Sequence, residues 1–254
     1  MKEIGLVLSG GGVRGVAHIG VLKALEEYGL RFRRVSGTSA GSIVGALYAR
    51  GYSPSEILDI ILQVSMIKSV RPAWAWSGLL RMDGLRELLQ KHLPADFSGL
   101  AIPLTVAAVE IRKGEVTYFD EGDLVAAVIS SCSIPAIFNP YPYNGSLYVD
   151  GGLMDNLPVR PIRSKCEFII GSHCNHISPT FDPANMKGVI ERSLLIAIGA
   201  NTLVSKHLCD VVVEPPGLDK FSAFDIGKAK EIFDIGYKFV KENFTPAHFE
   251  GMLV

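Results

Sequence analysis

No apolar run in the chain is long enough to span a bilayer. The longest candidate, residues 193–200, is flanked by Glu191-Arg192 and by Lys206, whereas a crossing helix needs about 20 apolar residues; it reads as a buried helix. Cysteine is scarce: Cys132, Cys166, Cys174 and Cys209 are scattered through 254 residues. That spacing excludes a disulfide framework and suits free thiols in a reducing compartment, so a cytoplasmic location is expected. Paired metal-ligand spacing is also missing. His173-Cys174-Asn175-His176 has no second cluster, so no metal is expected and the segment reads as a loop whose polar groups meet water or backbone. A usable signal-peptide core, internal repeats and low-complexity linkers are absent as well. With a net charge of −1, no global field favours nucleic acid. The first 100 residues nevertheless carry 12 Lys or Arg against 8 Asp or Glu, a local excess that permits peripheral contact with anionic head groups.

Glycine is abundant, with 26 residues in a chain that is 48% hydrophobic. Its placement is informative. Gly10-Gly11-Gly12-Val13-Arg14-Gly15 follows a strand-like apolar run at residues 4–9 and precedes apolar residues at helical spacing. Backbone amides at such a strand-to-helix turn, together with the helix N-terminus, would hold an oxyanion or a phosphate, with Arg14 reinforcing the field. Gly10, Gly12 and Gly15 also satisfy a dinucleotide fingerprint. That reading wants an acidic residue about twenty positions on, where the chain instead has Arg31-Phe32-Arg33-Arg34. If it held, the arginines would suit NADP.

Gly37-Thr38-Ser39-Ala40-Gly41 fits G-x-S-x-G between a short strand and an apolar helix, the setting of a nucleophile elbow. Ser39 needs a base. Asp150, ahead of Gly151-Gly152 at the end of the strand-like Leu147-Tyr148-Val149, can serve directly if burial raises its proton affinity. Alternatively Asp150 orients a histidine, His173 or His176, in the order of an α/β-hydrolase triad. The direct pair is favoured, because only one helix and one short strand separate the glycine turn from the serine turn. His18, in the first helix, reads as a hydrogen-bonded interior group.

The three blocks, with Ser131-Cys132-Ser133-Ile134-Pro135-Ala136-Ile137-Phe138 and Asp155-Asn156-Leu157-Pro158-Val159, resemble the patatin-like phospholipases. The likeness extends loosely to residues 224–240. It implies a three-layer α/β/α sandwich with a mainly parallel sheet, one domain over residues 1–254, and lipid acyl hydrolysis through an acyl-serine intermediate. It implies further a Ser39–Asp150 dyad, an oxyanion hole at Gly10, Gly11 and Gly12 with Arg14 nearby, an elbow flanked by Gly37 and Gly41, a lipid or ester substrate, and no cofactor. Gly152 stands where many relatives have alanine. A catalytically silent regulatory module is the rival of a different class.

The remaining elements follow from periodicity. Ser53 and Glu56 predict a capping box opening a helix at Pro54. Residues 64–82 hold both tryptophans, Trp74 and Trp76, among Lys68, Arg71 and Arg81, and suit either an interfacial lid or a loop packed on the core. Asp83 is expected to cap a helix over 84–92. Residues 104–109 and 115–119 predict a strand pair turning at Lys113-Gly114. Helices follow at 124–130, 186–206 and 224–239, and strands at 167–171 and 211–213. This alternation predicts a mainly parallel sheet covered on both faces.

Overall fold

The computed structural model describes residues 2–70, 79–135, 137–177, 186–222 and 226–252. In chain order it contains β1 (Ile4–Leu8), α1 (Ala17–Glu27), β2 (Arg34–Thr38), α2 (Ala40–Arg50), α3 (Pro54–Val70), α4 (Leu79–His92), β3 (Leu104–Glu110) and β4 (Glu115–Phe119). It continues with α5 (Leu124–Ser131), β5 (Tyr141–Tyr143), β6 (Ser146–Asp150), α6 (Arg160–Arg163), β7 (Phe168–Ser172), α7 (Met186–Lys206), β8 (Val211–Val213) and α8 (Ala229–Asn243). A 3-10 turn, Gly12–Val16, links β1 to α1.

One mixed sheet runs through the molecule. β3, β2, β1, β7 and β8 are parallel neighbours, while β4 and β6 pair antiparallel with β3 and β5 pairs antiparallel with β6. Helices cover both faces. β1 shows how its pleat divides the core: Ile4, Leu6 and Leu8 enter the large cluster with α1, α2 and α8, whereas Val7 enters a smaller one with Leu157, Val159, Ile162 and Ile169. No described helix is long and apolar enough to cross a membrane.

The registers fix one consequence for the site. A strand edge holds one partner at a given residue. β4 pairs with Val106 to Glu110 of β3, β2 with Leu104 to Ala107, and β6 with Ala108 to Glu110. β4 overlaps both of the others, so β2 and β6 must share the opposite edge, lying end to end. Thr38 faces Ala107 and Asp150 faces the next residue, Ala108. The C-terminal ends of two oppositely directed strands therefore meet at one point.

The expected elements form with few shifts. Ser53 N–H donates to Glu56 Oε2 at 2.8 Å and Glu56 N–H donates back to Ser53 Oγ at 3.4 Å, completing the capping box. Asp83 lies inside α4, which begins at Leu79, and so does not cap it. The last α-helix begins at Ala229, after a 3-10 turn at Ile226–Lys228. α7 is not buried as expected: Met186, Ile190, Ile196, Leu203 and Val204 are each more than half exposed. Trp74 and Trp76 lie outside the described residues.

Candidate active site

The meeting point of β2 and β6 carries Ser39 and Asp150. Ser39 occupies the turn between β2 and α2 with φ 50 and ψ −123, a conformation that costs a non-glycine residue free energy and that projects its side chain at the helix N-terminus. Its flanking glycines are required sterically: a Cβ on Gly41 would come within 2.3 Å of the Leu8 carbonyl oxygen, and one on Gly37 within 2.6 Å of the Gly41 carbonyl oxygen.

The residues after Val128 hold both strand ends in place. Ser39 N–H donates to Ser131 Oγ (2.8 Å), and Ser131 Oγ–H donates to the Ala107 carbonyl (2.6 Å). Asp150 N–H donates to the Ser133 carbonyl (2.9 Å). Cys132, between these two, is buried, and burial followed by the nearby Asp150 charge keeps it a neutral thiol with its pKa raised.

Asp150 is 8% exposed. Burial raises its pKa to about 6, opposed by a bond from the Ser39 side chain and by the Gly152 amide, which donates to Asp150 Oδ1 at 2.8 Å. No histidine bonds to Ser39 or Asp150 among the described residues. His173 instead pairs its Nδ1 with Glu214 at 2.8 Å, and burial lowers its pKa. His176 lies 3.8 Å from the same carboxylate. His18 is fully buried: Nε2 donates to the Ser9 carbonyl (2.9 Å), which leaves Nδ1 to accept from Ser172 Oγ (2.7 Å). Burial lowers its pKa to about 4, so it is a neutral interior group.

The glycine turn rests on the elbow. A Cβ at Gly10 would lie 3.2 Å from Ser39 Cβ, and one at Gly15 would lie 2.6 Å from Ala40 Cβ. The three glycine amides differ. Gly10 N–H is taken by the Asn156 carbonyl at 3.2 Å and is not free to hold an oxyanion. Gly11 and Gly12 open the 3-10 turn, where helical geometry supplies no acceptor. Arg14 is buried and donates through Nε to the Phe221 carbonyl (3.0 Å), which anchors the turn to the C-terminal part of the chain.

Several contributors were not singled out by residue chemistry in the sequence. The Asp155 carbonyl accepts from Thr38 Oγ1 (2.8 Å) and its carboxylate from Tyr118 (2.6 Å), tying the end of β2 to the segment after Asp150. Asn156 lies between Gly10 and Gly152, with its Nδ2 buried and without a partner among the described residues. Asn175 reaches the Gly10 carbonyl at 2.6 Å. All three lie in the segments that follow β6 and β7, and a polar residue there was the available signal. Among the described residues no group of three or more His, Cys, Asp or Glu is placed to hold a metal.

A model of the family described as patatin-like phospholipase matches residues 6–163, well over half of the chain. The chain belongs to the patatin-like phospholipase family. The matched region of this patatin-like chain includes the glycine turn, the serine elbow, Asp150 and Asn156. An uncharacterised NTE-family protein of Mycobacterium tuberculosis is 33% identical over 166 residues, covering 63% of this chain and 45% of its own length. Lysophospholipase NTE1 of Meyerozyma guilliermondii is 27% identical over 285 residues, covering 99% of this chain and 20% of its own length. The patatin-like chain thus spans less than half the length of these relatives. Among solved structures, VipD from Legionella pneumophila has the same fold, with a TM-score of 0.53 at 16% identity over 95% of this chain and 67% of VipD.

Proposed function

We propose that the chain is a lipid acyl hydrolase in which Ser39 is the nucleophile and Asp150 its base. The observation that carries this reading is the buried Asp150 carboxyl, with a pKa near 6, beside a serine held in a positive-φ elbow. At neutral pH such a carboxylate is ionised yet basic enough to take a proton in the transition state.

In the proposed cycle, Ser39 Oγ attacks the ester carbonyl carbon as its proton passes to Asp150. The amides of Gly11 and Gly12 hold the tetrahedral oxyanion. Collapse breaks the bond to the alcohol, which leaves with the proton from Asp150. Water then attacks the acyl-serine, giving its proton to Asp150, and the fatty acid departs as Ser39 recovers its hydrogen. The cycle needs no cofactor. The names of the fungal relatives support a phospholipid or lysophospholipid substrate.

Peripheral lipid contact is part of the same proposal. Leu153 and Met154, just beyond Asp150, are exposed, and so is an apolar stripe on α7. The α7 helix is bound to this turn by Asn201 Nδ2, which donates to the Leu153 carbonyl at 3.2 Å. A bilayer surface is the partner that would match apolar residues beside a lipid-cleaving site.

A panel of lysophospholipids, phospholipids and p-nitrophenyl esters tests the assignment. Ser39→Ala should abolish turnover, with a loss of about 10^3-fold or more, and Asp150→Asn should lower kcat by about 10^2- to 10^4-fold. His173→Ala should stay within a few-fold of wild type. Loss in His173→Ala equal to that in Asp150→Asn, with folding intact, would replace the dyad by a triad.

A further inference from the structure

The segment after β7 has no role in the cycle above, yet it is built against the glycine turn. Cys174 N–H donates to Ser9 Oγ (3.1 Å), and the Cys174 thiol points at the Gly10 carbonyl oxygen (3.4 Å). Asn175 side-chain nitrogen donates to the same oxygen at 2.6 Å. A carbonyl only accepts, so the NH2 end of Asn175 must be the one facing it. On its other side, Gly10 N–H donates to the Asn156 carbonyl. Gly10 is therefore clamped at both of its backbone polar groups.

Peptide planarity carries this clamp to the next residue. In a trans peptide the carbonyl and the following N–H point in opposite directions, and no peptide bond among the described residues is cis. Holding the Gly10 carbonyl toward Asn175 directs Gly11 N–H away from Asn175. Gly11 presents its α-carbon to Cys174 and Asn175, where a Cβ would lie 2.4 Å from Sγ and 2.9 Å from Oδ1. No acceptor for Gly11 N–H occurs among the described residues. A Gly-Gly peptide left unclamped would rotate readily, because glycine accepts both signs of φ.

We propose that Asn175 is a positioning residue for acyl transfer, holding the Gly10–Gly11 peptide so that Gly11 N–H faces the oxyanion formed at Ser39. The inference rests on the acyl-serine reading above. Asn175 itself does not touch substrate; it acts through the peptide.

Asn175→Leu keeps the side-chain shape and removes the donor. The expected result is a kcat lowered by about 10- to 100-fold, part of what losing a whole oxyanion donor costs. KM should stay within about threefold, and the pH midpoint near 6 set by Asp150 should be unchanged. A folded Asn175→Leu protein with kcat within threefold of wild type, or with its loss confined to KM, overturns the proposal. Should the leucine variant fail to fold, wild-type protein labelled with 15N-glycine answers the question: reaction of Ser39 with a fluorophosphonate should shift the Gly11 amide resonance downfield, and an unmoved Gly11 resonance overturns it. Failure of wild-type Ser39 to react would sink the acyl-serine reading as well, whereas normal reaction with an unimpaired Asn175→Leu enzyme sinks this inference alone.

Discussion

The proposed cycle asks Asp150 to be ionised at neutral pH and also to be a competent base, and burial provides the compromise. Its folded pKa near 6 lies above the ordinary value of 3.8, so the folded state binds its proton more tightly than the unfolded chain does. Between about pH 4 and pH 6 stability therefore falls as pH rises, and above pH 6 the buried charge costs about 3 kcal/mol. Asp150→Asn retains an acceptor for the Gly152 amide without the charge. Urea unfolding should find this variant more stable than wild type by about 1–3 kcal/mol at pH 8, with the gain shrinking toward zero near pH 4. An unchanged or lower stability at pH 8 would mean that the carboxylate is not held against its solvation preference. Activity has the opposite dependence: kcat/KM should rise with pH through a midpoint near 6, because only ionised Asp150 accepts a proton. At this scale the placement of both side chains was legible in the sequence, since G-x-S-x-G and Asp-Gly-Gly each mark a turn at a strand end. Which glycine amide is free was not, because the acceptor that takes Gly10 N–H comes from Asn156, far along the chain.

At the scale of elements, the sequence disclosed the parallel strands and their helices because their apolar periodicities are strong. The β5–β6 hairpin was missed. Pro142 argues against a strand, yet an edge strand tolerates it, and Asn144-Gly145, with φ of 47 and 77, is the turn pair that favours tight hairpins. The exposure of α7 was hidden for a different reason: an apolar stripe looks the same in sequence whether or not anything packs on it. Contacts between helices likewise depend on pairs far apart in the chain. α1 and α8 cross closely enough that a Cβ on Gly236 would lie 2.2 Å from the Ala17 carbonyl oxygen, and one on Gly20 would lie 2.1 Å from the Phe233 carbonyl oxygen. Helix propensity alone predicts that Gly236→Ala stabilises by about 1 kcal/mol. The crossing predicts the opposite sign, a loss of about 1–3 kcal/mol from overpacking. Denaturant titration separates the two, and a stabilised variant would show that the helices do not meet this tightly.

For the molecule as a whole, the end-to-end meeting of β2 and β6 on β3 brings two strand ends from distant parts of the chain to one point. α7 extends an apolar surface away from it. If that surface meets lipid, Ile190→Lys with Ile196→Lys and Leu203→Lys should lower turnover of phospholipid vesicles by about tenfold or more and weaken vesicle sedimentation, since each apolar side chain withdrawn from lipid forfeits about 1.5–3 kcal/mol. Hydrolysis of a short p-nitrophenyl ester should be unaffected. Equal losses on both substrates would assign the stripe to another role. The mainly parallel sheet was foreseeable from the alternation of strands and helices, and the family from the ordered motifs, whereas the shared edge of β3 depends on strand register, which no local pattern encodes.

The proposed activation of Ser39 by Asp150 can be read from the rate at which a fluorophosphonate modifies the protein. Intact mass and peptide mapping should show one adduct, on Ser39, absent in Ser39→Ala, with a second-order rate that rises through a midpoint near pH 6 and falls by at least a hundredfold in Asp150→Asn. An adduct on another residue, or a Ser39 rate indifferent to both pH and Asp150→Asn, would rule out that activation.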